Sequence, residues 1–255
     1  MGELKWHLPY ALRQFETDVI IPIRLFGIDV SFTTGSSAKL TAAMLISGYL
    51  LLATRERALI PGRLQASGEM AYAFVADTMM RIAGPEAKSS IPLFFTIIVF
   101  IFCGTLLGMS PIHETFTAHL IITLALALTV FVHVNVIGFQ THGWSFFRIL
   151  LPPNLPLFAI PIVVFVELIS YLFRPVTLGF RIFANIFAGH VMLKLFADFA
   201  SMMVTALGPA GAIAALAPVA VMVILYCFEF IIVCIQTYIF LLISSMYLRD
   251  ALQGH

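Results

Sequence analysis

The sequence predicts an all-α integral membrane protein. Hydrophobic residues make up 61% of the 255 residues, and charged residues make up only 11%. An ordinary globular domain carries about a quarter charged residues, so this chain has too few charges to cover a surface that faces water. The apolar residues also fall in long runs, several of which reach the ~20 residues that cross a bilayer as a helix. The balance of 14 basic and 13 acidic residues lacks the basic surface typical of nucleic-acid-binding proteins.

The apolar runs predict about three upright transmembrane helices, one amphipathic interfacial helix and a long, steeply tilted two-helix C-terminal hairpin. At ~1.5 Å per residue the last run extends ~55 Å, against ~30 Å of hydrocarbon. This length favours a tilted hairpin over the alternative, in which each long run breaks into two upright spans. The predicted division is an outer-side N-terminal segment, 1–35, and a single membrane domain, 36–255, with upright spans at about 36–54, 91–108 and 117–139, the interfacial helix at 67–82, and tilted helices at about 157–207 and 212–248.

Basic residues predict the orientation. Arg55, Arg57 and Arg63 follow the first span, and such residues concentrate on the cytoplasmic side of a membrane. We therefore expect the N-terminus outside and the C-terminus in the cytoplasm. The first residues lack the basic start and apolar core of a cleaved signal. These features favour a bacterial inner (plasma) membrane, with the mitochondrial inner membrane as the alternative.

Arg181 is the most informative ionisable residue, because it lies within a long apolar run. A charge at mid-membrane costs ~3 kcal/mol on insertion scales, so it indicates a functional site by default. Arginine is a permanent cation in proteins. Asn185 lies one helical turn further along the same face. The alternative is that Arg181 pairs with a carboxylate simply to hold two helices together.

Further polar residues interrupt the apolar runs. Glu229 and Gln236 are seven residues apart, so their directions on a helix differ by only ~20°. In apolar surroundings a carboxyl group favours its neutral form, which suits Glu229 to accept and release a proton near neutral pH. His190 suits the same role, because histidine titrates near neutrality. Structural hydrogen bonds are the alternative for all three, and Glu167 with Arg174 is either part of a proton path or a salt bridge.

The run Leu178-Gly-Phe-Arg-Ile-Phe-Ala-Asn-Ile-Phe-Ala-Gly-His190 resembles the central motif of subunit a of F-type ATP synthases. The final run, with Glu229, Gln236 and Tyr238, is similar to the last helix of that family. The resemblance implies that Arg181 is the essential stator arginine, which faces a rotor carboxylate. It also implies roles for five other residues: Asn185 and Gln236 beside the arginine, His190 and Glu229 as a proton-relay pair, and Glu167 in the inward-facing path.

The resemblance further implies a mechanism and a set of partners. Two aqueous half-channels would lead protons to and from a ring of c subunits. This arrangement would couple proton flow to rotation and ATP synthesis. Partners would be the c ring, b-type peripheral stalk subunits, the rest of the ATP synthase and the lipid bilayer. The chain would be one subunit of the proton-transporting two-sector ATP synthase, with the ATP chemistry on other subunits. No cofactor or metal is implied, and sodium in place of protons stays open.

Three other classes compete with this interpretation. A proton-coupled secondary transporter would predict internal repeats around a central site, and we find no repeat. A haem-binding cytochrome would use His119 and His133, which are fourteen residues apart, but it needs a matching pair on another span. A structural scaffold leaves Arg181 without an explanation.

Overall fold

The computed structural model describes residues 19–22, 24–25, 28–29, 31–55, 61–109, 119–143, 146 and 160–253. Six α-helices dominate these residues, and they are α1 (Thr34–Arg55), α2 (Arg63–Ala83), α3 (Ile91–Gly108), α4 (Leu120–His142), α5 (Ile160–Ala214) and α6 (Leu216–Gln253). A 3₁₀ helix, Pro85–Ser90, joins α2 to α3. The predicted all-α class is confirmed.

Five of the helical segments are long and apolar enough to cross a membrane, and they correspond to α1, α3, α4, α5 and α6. In four of them little is buried within the chain: only 17% of the most apolar part of α6 is buried, against 50% in the segment that contains α3. Exposed side chains on these helices include Ile121, Ile213 and Ile224, which are 82%, 74% and 67% accessible. Apolar surface on this scale is typical of contact with lipid or with other subunits. The protein is therefore a multi-pass helical membrane protein.

Short strands precede α1, which the all-helical interpretation of the sequence did not include. The strands are β1 (Val19–Ile21), β2 (Arg24–Leu25), β3 (Ile28–Asp29) and β4 (Phe32–Thr33). β1 pairs with β4 and β2 pairs with β3, both antiparallel. The nested pairs form one irregular hairpin, whose ladders satisfy backbone groups before the first span. Strands of two or three residues are too short to produce a reliable sequence pattern.

Several helix ends differ from the predicted bounds. α2 begins four residues earlier than predicted and ends at Ala83, where Gly84 has a positive φ of 83°. α6 continues past the predicted end at 248 to Gln253, because Ala251 and Leu252 are buried against the core. The predicted starts of the third span and of the first tilted helix, and Arg57, lie outside the described residues, as do residues 1–18 of the N-terminal segment.

α6 is the central helix of the bundle, since it packs against α2, α3, α4 and α5. The buried core between them includes Met79, Phe94, Val130, Phe240 and Leu248, which are 1% accessible or less. The polar face of α2, with Glu69, Asp77 and Arg81, is exposed. The core thus has α6 on its axis and leaves one side of α5 open.

α5 and α6 form the C-terminal hairpin. The chain reverses at Gly208, where φ is 57° and ψ is −133°, a backbone conformation that glycine adopts without strain. Residues after Gly208 continue helically to Ala214. A Cβ at Gly211 would collide with the carbonyl oxygen of Met203. The junction between the two predicted tilted helices, 208–211, is therefore a sharp reversal in which one arm lies directly on the other.

Candidate functional site

The position of Arg181 follows from the packing of α5 on its neighbours. Leu178, Ile182 and Ile186 lie on one face of α5 and are buried, at 3%, 1% and 5% accessible. Two residues before Arg181, a Cβ on Gly179 would be 2.9 Å from the Cα of Leu124 in α4. This close approach holds α5 against α4 and leaves Arg181 outside that contact, with its side chain exposed.

The Arg181 side chain is exposed on the open side of α5. Among the described residues it takes part in no ion pair. Other exposed side chains of α5 are apolar, including Phe180 next to Arg181 and Met192 three turns later, which are 53% and 44% accessible. A permanent cation is thus exposed on α5 without an ionic partner in the described part of the chain.

Asn185 and Gln236 form a direct link between α5 and α6. Nδ2 of Asn185 donates a hydrogen bond to Oε1 of Gln236 at 3.0 Å. Gln236 is buried, at 7% accessible, and its Nε2 has no hydrogen-bond partner in the described part of the chain. The two residues that the sequence placed near Arg181 on different helices therefore meet, and one buried donor is left over.

His190 and Glu229 form a second link, nearer the turn of the hairpin. Nε2 of His190 lies 3.8 Å from Oε1 of Glu229, and the side chains are 15% and 7% accessible. Glu229 also has a buried oxygen, Oε2, without a hydrogen-bond partner among the described residues. A cavity of about 10 Å³, close to the minimum for one water molecule, borders both Glu229 and the Asn185–Gln236 pair.

Gly189 makes the His190–Glu229 contact possible. A Cβ at residue 189 would lie 2.6 Å from Oε1 and 2.8 Å from the carboxyl carbon of Glu229. Small residues let helix backbones approach closely in a membrane. The structure assigns that role to one residue, because any larger side chain here would displace the carboxylate.

Glu167 lies in a third link, on the other side of Arg181 along α5. Oε1 of Glu167 is 3.8 Å from NH2 of Arg174, whose NH1 is 3.7 Å from Oδ2 of Asp250 in α6. The sequence left open whether Glu167 and Arg174 pair, and the structure pairs them.

Asp250 was missed in the sequence analysis, although it lies fourteen residues after Gln236 and twenty-one after Glu229. Those multiples of seven were the signal that it shares their face of α6.

Three further polar residues, His133 and Asn135 on α4 and Tyr226 on α6, have structural partners. A ring nitrogen of His133 is 3.1 Å from Oγ of Ser90, and its ring packs edge-on against Phe94 at a centroid distance of 6.2 Å. Asn135 accepts a hydrogen bond of 2.7 Å from the hydroxyl of Tyr171. Tyr226 donates to the backbone oxygen of Met109 at 3.2 Å. These contacts join helices and lie apart from the three links between α5 and α6.

Fold and site together define a class: a multi-pass helical membrane protein with ionisable pairs along one hairpin and an uncovered arginine between them. Comparison with known proteins agrees. The family model described as ATP synthase A chain matches residues 37–249, so the chain belongs to that family.

Three similar proteins each carry the name ATP synthase subunit a. One from Rhodospirillum rubrum is 40% identical over 244 residues, which cover 96% of this chain and 98% of the relative. One from Acidiphilium cryptum (strain JF-5) is 39% identical over 245 residues, or 96% and 97% of the two chains. One from Rhizobium rhizogenes (strain K84) is 41% identical over 244 residues, or 95% and 97%.

Proposed function

We propose that this chain is the proton-translocating stator subunit of an F-type ATP synthase. It would act in a bacterial inner membrane, against a ring of c subunits and beside b-type stalk subunits. The observation that carries the proposal is Arg181, an exposed arginine without an ion pair among the described residues, on the apolar open side of α5. A cation at membrane depth is costly unless a partner compensates it. The ionised carboxylate of a rotor helix is a partner that would do so.

The order of the polar links supports two separate proton paths. Along α5, Glu167 precedes Arg181 by fourteen residues and His190 follows it by nine, which correspond to ~21 Å and ~14 Å of helix. The α6 partners run in the opposite order, with Glu229 opposite His190 and Asp250 opposite Arg174. Titratable groups therefore lie at two separate positions along the hairpin, on either side of Arg181.

The proposed cycle assigns a step to each group. A proton enters from the outer side, passes Glu229 and His190, and neutralises a rotor carboxylate. The neutral site can turn into lipid, where a charged one would be too costly. After nearly a full turn it meets the inner path at Glu167 and releases its proton, since Arg181 favours the ionised carboxylate. Asn185 and Gln236 hold the helices together beside Arg181.

The membrane potential sets the free energy that one translocated proton contributes. Each charge that crosses the membrane supplies about 2.3 kcal/mol per 100 mV, so several crossings are needed for one ATP. Arg181 would also block direct leakage, because a proton moving between the two paths has to pass a fixed positive charge.

Replacement of Arg181 tests the proposal. In vesicles that contain the assembled ATP synthase, Arg181→Ala should abolish ATP synthesis driven by a proton gradient while the chain stays in the complex. Arg81→Ala, which removes an exposed arginine of α2, is the charge-matched control and should keep coupled synthesis. Coupled synthesis at the wild-type rate in Arg181→Ala would show that the stator role is wrong.

A further inference from the structure

A cavity of about 400 Å³ lies between the last turns of α1, the first turns of α2 and the start of α3. Its volume is in the range of small-molecule sites, about 300–1,000 Å³. Leu50, Ala53 and Phe95 supply apolar walls, and the last two are 5% and 9% accessible. Tyr72 also lines the cavity and is 43% exposed, so the cavity opens to the surface. Such walls suit a hydrocarbon chain.

Contacts between the helices fix the shape of this cavity. The hydroxyl groups of Tyr49 in α1 and Ser67 in α2 are hydrogen-bonded at 2.5 Å. A Cβ at Gly68 would lie only 3.2 Å from the nearest side chain of α1. The ring of Tyr72 packs edge-on against Phe95 of α3, at a centroid distance of 5.3 Å. The cavity is therefore formed by the packing of three helices and does not need a ligand to open it.

The cavity is polar towards the two helix ends and apolar further in. Thr54 and Gln65 lie near the end of α1 and the start of α2, whereas Leu50 and Tyr72 lie one and two turns deeper. Nε2 of Gln65 donates a hydrogen bond to Oε1 of Glu69 at 2.8 Å, and Glu69 is exposed. A ligand with a polar head and an apolar tail matches this gradient.

Two arginines lie next to the polar end. Arg55 is the last residue of α1 and follows Thr54 directly, and Arg63 is the first residue of α2, two residues before Gln65. Both are exposed, and neither takes part in an ion pair with another described residue. Two arginines and Glu69 give this end a formal charge of +1. Basic pockets beside transmembrane helices bind anionic lipid head groups.

We propose that this cavity binds an anionic phospholipid, with one acyl chain in the apolar part and the phosphodiester at Arg55 and Arg63. A glycerol head group, as in phosphatidylglycerol, carries one net negative charge and has hydroxyl groups that can donate to Glu69. A choline head group has no such donor, and its phospholipid has no net charge. The site lies on α1 and α2, apart from the three links between α5 and α6, and is independent of the proposed function.

The test uses two light-activated lipid probes with identical acyl chains, each reactive near the chain end. One is a phosphatidylglycerol and the other a phosphatidylcholine. The assembled complex is placed in phosphatidylcholine vesicles with a trace of one probe, and labelled peptides are identified by mass spectrometry. We expect the phosphatidylglycerol probe to label the peptides that contain residues 50–54 and 65–72 about tenfold more than the phosphatidylcholine probe.

Variants separate the acyl chain from the head group. Leu50→Trp fills the apolar part and should remove the label from both probes, whereas Leu51→Trp is the matched control, since Leu51 is 70% exposed and does not line the cavity. Arg55→Gln combined with Arg63→Gln should lower the preference for phosphatidylglycerol about tenfold. Arg81→Gln, which removes an exposed arginine further along α2, should leave the preference unchanged.

The wild type alone decides the main point, even where a variant fails to assemble. Equal labelling by the two probes would overturn the proposal, because the site would then not select an anionic lipid. Absence of label from these peptides would overturn it too, since another subunit or this chain itself would then cover the cavity. Undiminished label in Leu50→Trp would place the acyl chain elsewhere. ATP synthesis in the same vesicles tests the proposed function separately.

Discussion

Oε1 of Glu229 lies 3.8 Å from Nε2 of His190, and it reaches that position across the bare backbone of Gly189. The contact couples a buried acid on α6 to a histidine on α5 and depends on the absence of a side chain at one position. The first prediction concerns that absence.

Gly189→Ala should displace the Glu229 carboxylate, because the new Cβ would lie 2.6 Å from Oε1. Misplacement of a reacting group by ~1 Å costs up to ~10²-fold in rate, so we expect proton flux to fall at least about tenfold. Gly48→Ala in α1 is the matched control, since a Cβ there meets nothing within 4 Å. Equal flux in the two variants would show that the carboxylate position does not matter.

The His190–Glu229 pair should tolerate an exchange of its two side chains better than the loss of either one. We expect His190→Ala and Glu229→Gln each to lower proton-driven ATP synthesis at least about a hundredfold, as for other proton-transfer groups. The double variant His190→Glu with Glu229→His should recover to within about tenfold of the wild type. If the double variant equals the worse single variant, the two residues do not act as a pair.

Asn185→Leu should destabilise the hairpin, because it removes the residue that donates to Gln236 and leaves a buried amide without that bond. An unsatisfied buried polar group costs about 1–3 kcal/mol. Thermal unfolding of the complex in mild detergent should therefore shift downward. Asn185→Leu with Gln236→Leu, which replaces both partners by apolar groups, should recover most of that loss; no recovery would mean that the amide pair is not the cause.

Ser244 and Ser245 are adjacent, fully buried serines of α6 with opposite hydrogen-bond states. Ser245 donates to the backbone oxygen of Leu241 at 2.7 Å, whereas Oγ of Ser244 has no partner within the described residues. Ser244→Ala should leave thermal stability unchanged or raise it, and Ser245→Ala should lower it by about 0.5–1 kcal/mol. The reverse order would indicate that Ser244 binds a group outside this chain.

Helical spacing predicted much of the site. Seven-residue spacing placed Glu229 and Gln236 on one stripe of α6, and both are buried on its packing face. His190 lies nine residues after Arg181, which is roughly the opposite face of a regular helix, and in the structure the histidine is half-buried and the arginine exposed. Within one helix, direction follows from residue number alone.

Partners across two helices could not be predicted in the same way. The link from Arg174 to Asp250 spans α5 and α6, so it depends on how far one arm slides along the other. Asp250 also lies beyond the apolar run that marked the membrane segment, so its charge attracted no notice. The role of Gly189 likewise depends on a carboxylate forty residues later in the chain.

The reversal at Gly208 therefore acts as the common reference point for all three links. Residues 190, 185 and 174 match 229, 236 and 250 in mirror order on either side of it. One residue inserted between Leu207 and Leu216 would rotate α6 by ~100° and advance it by ~1.5 Å relative to α5. Every match would fail together, so the length of this short turn segment is as constrained as the chemistry of the site itself.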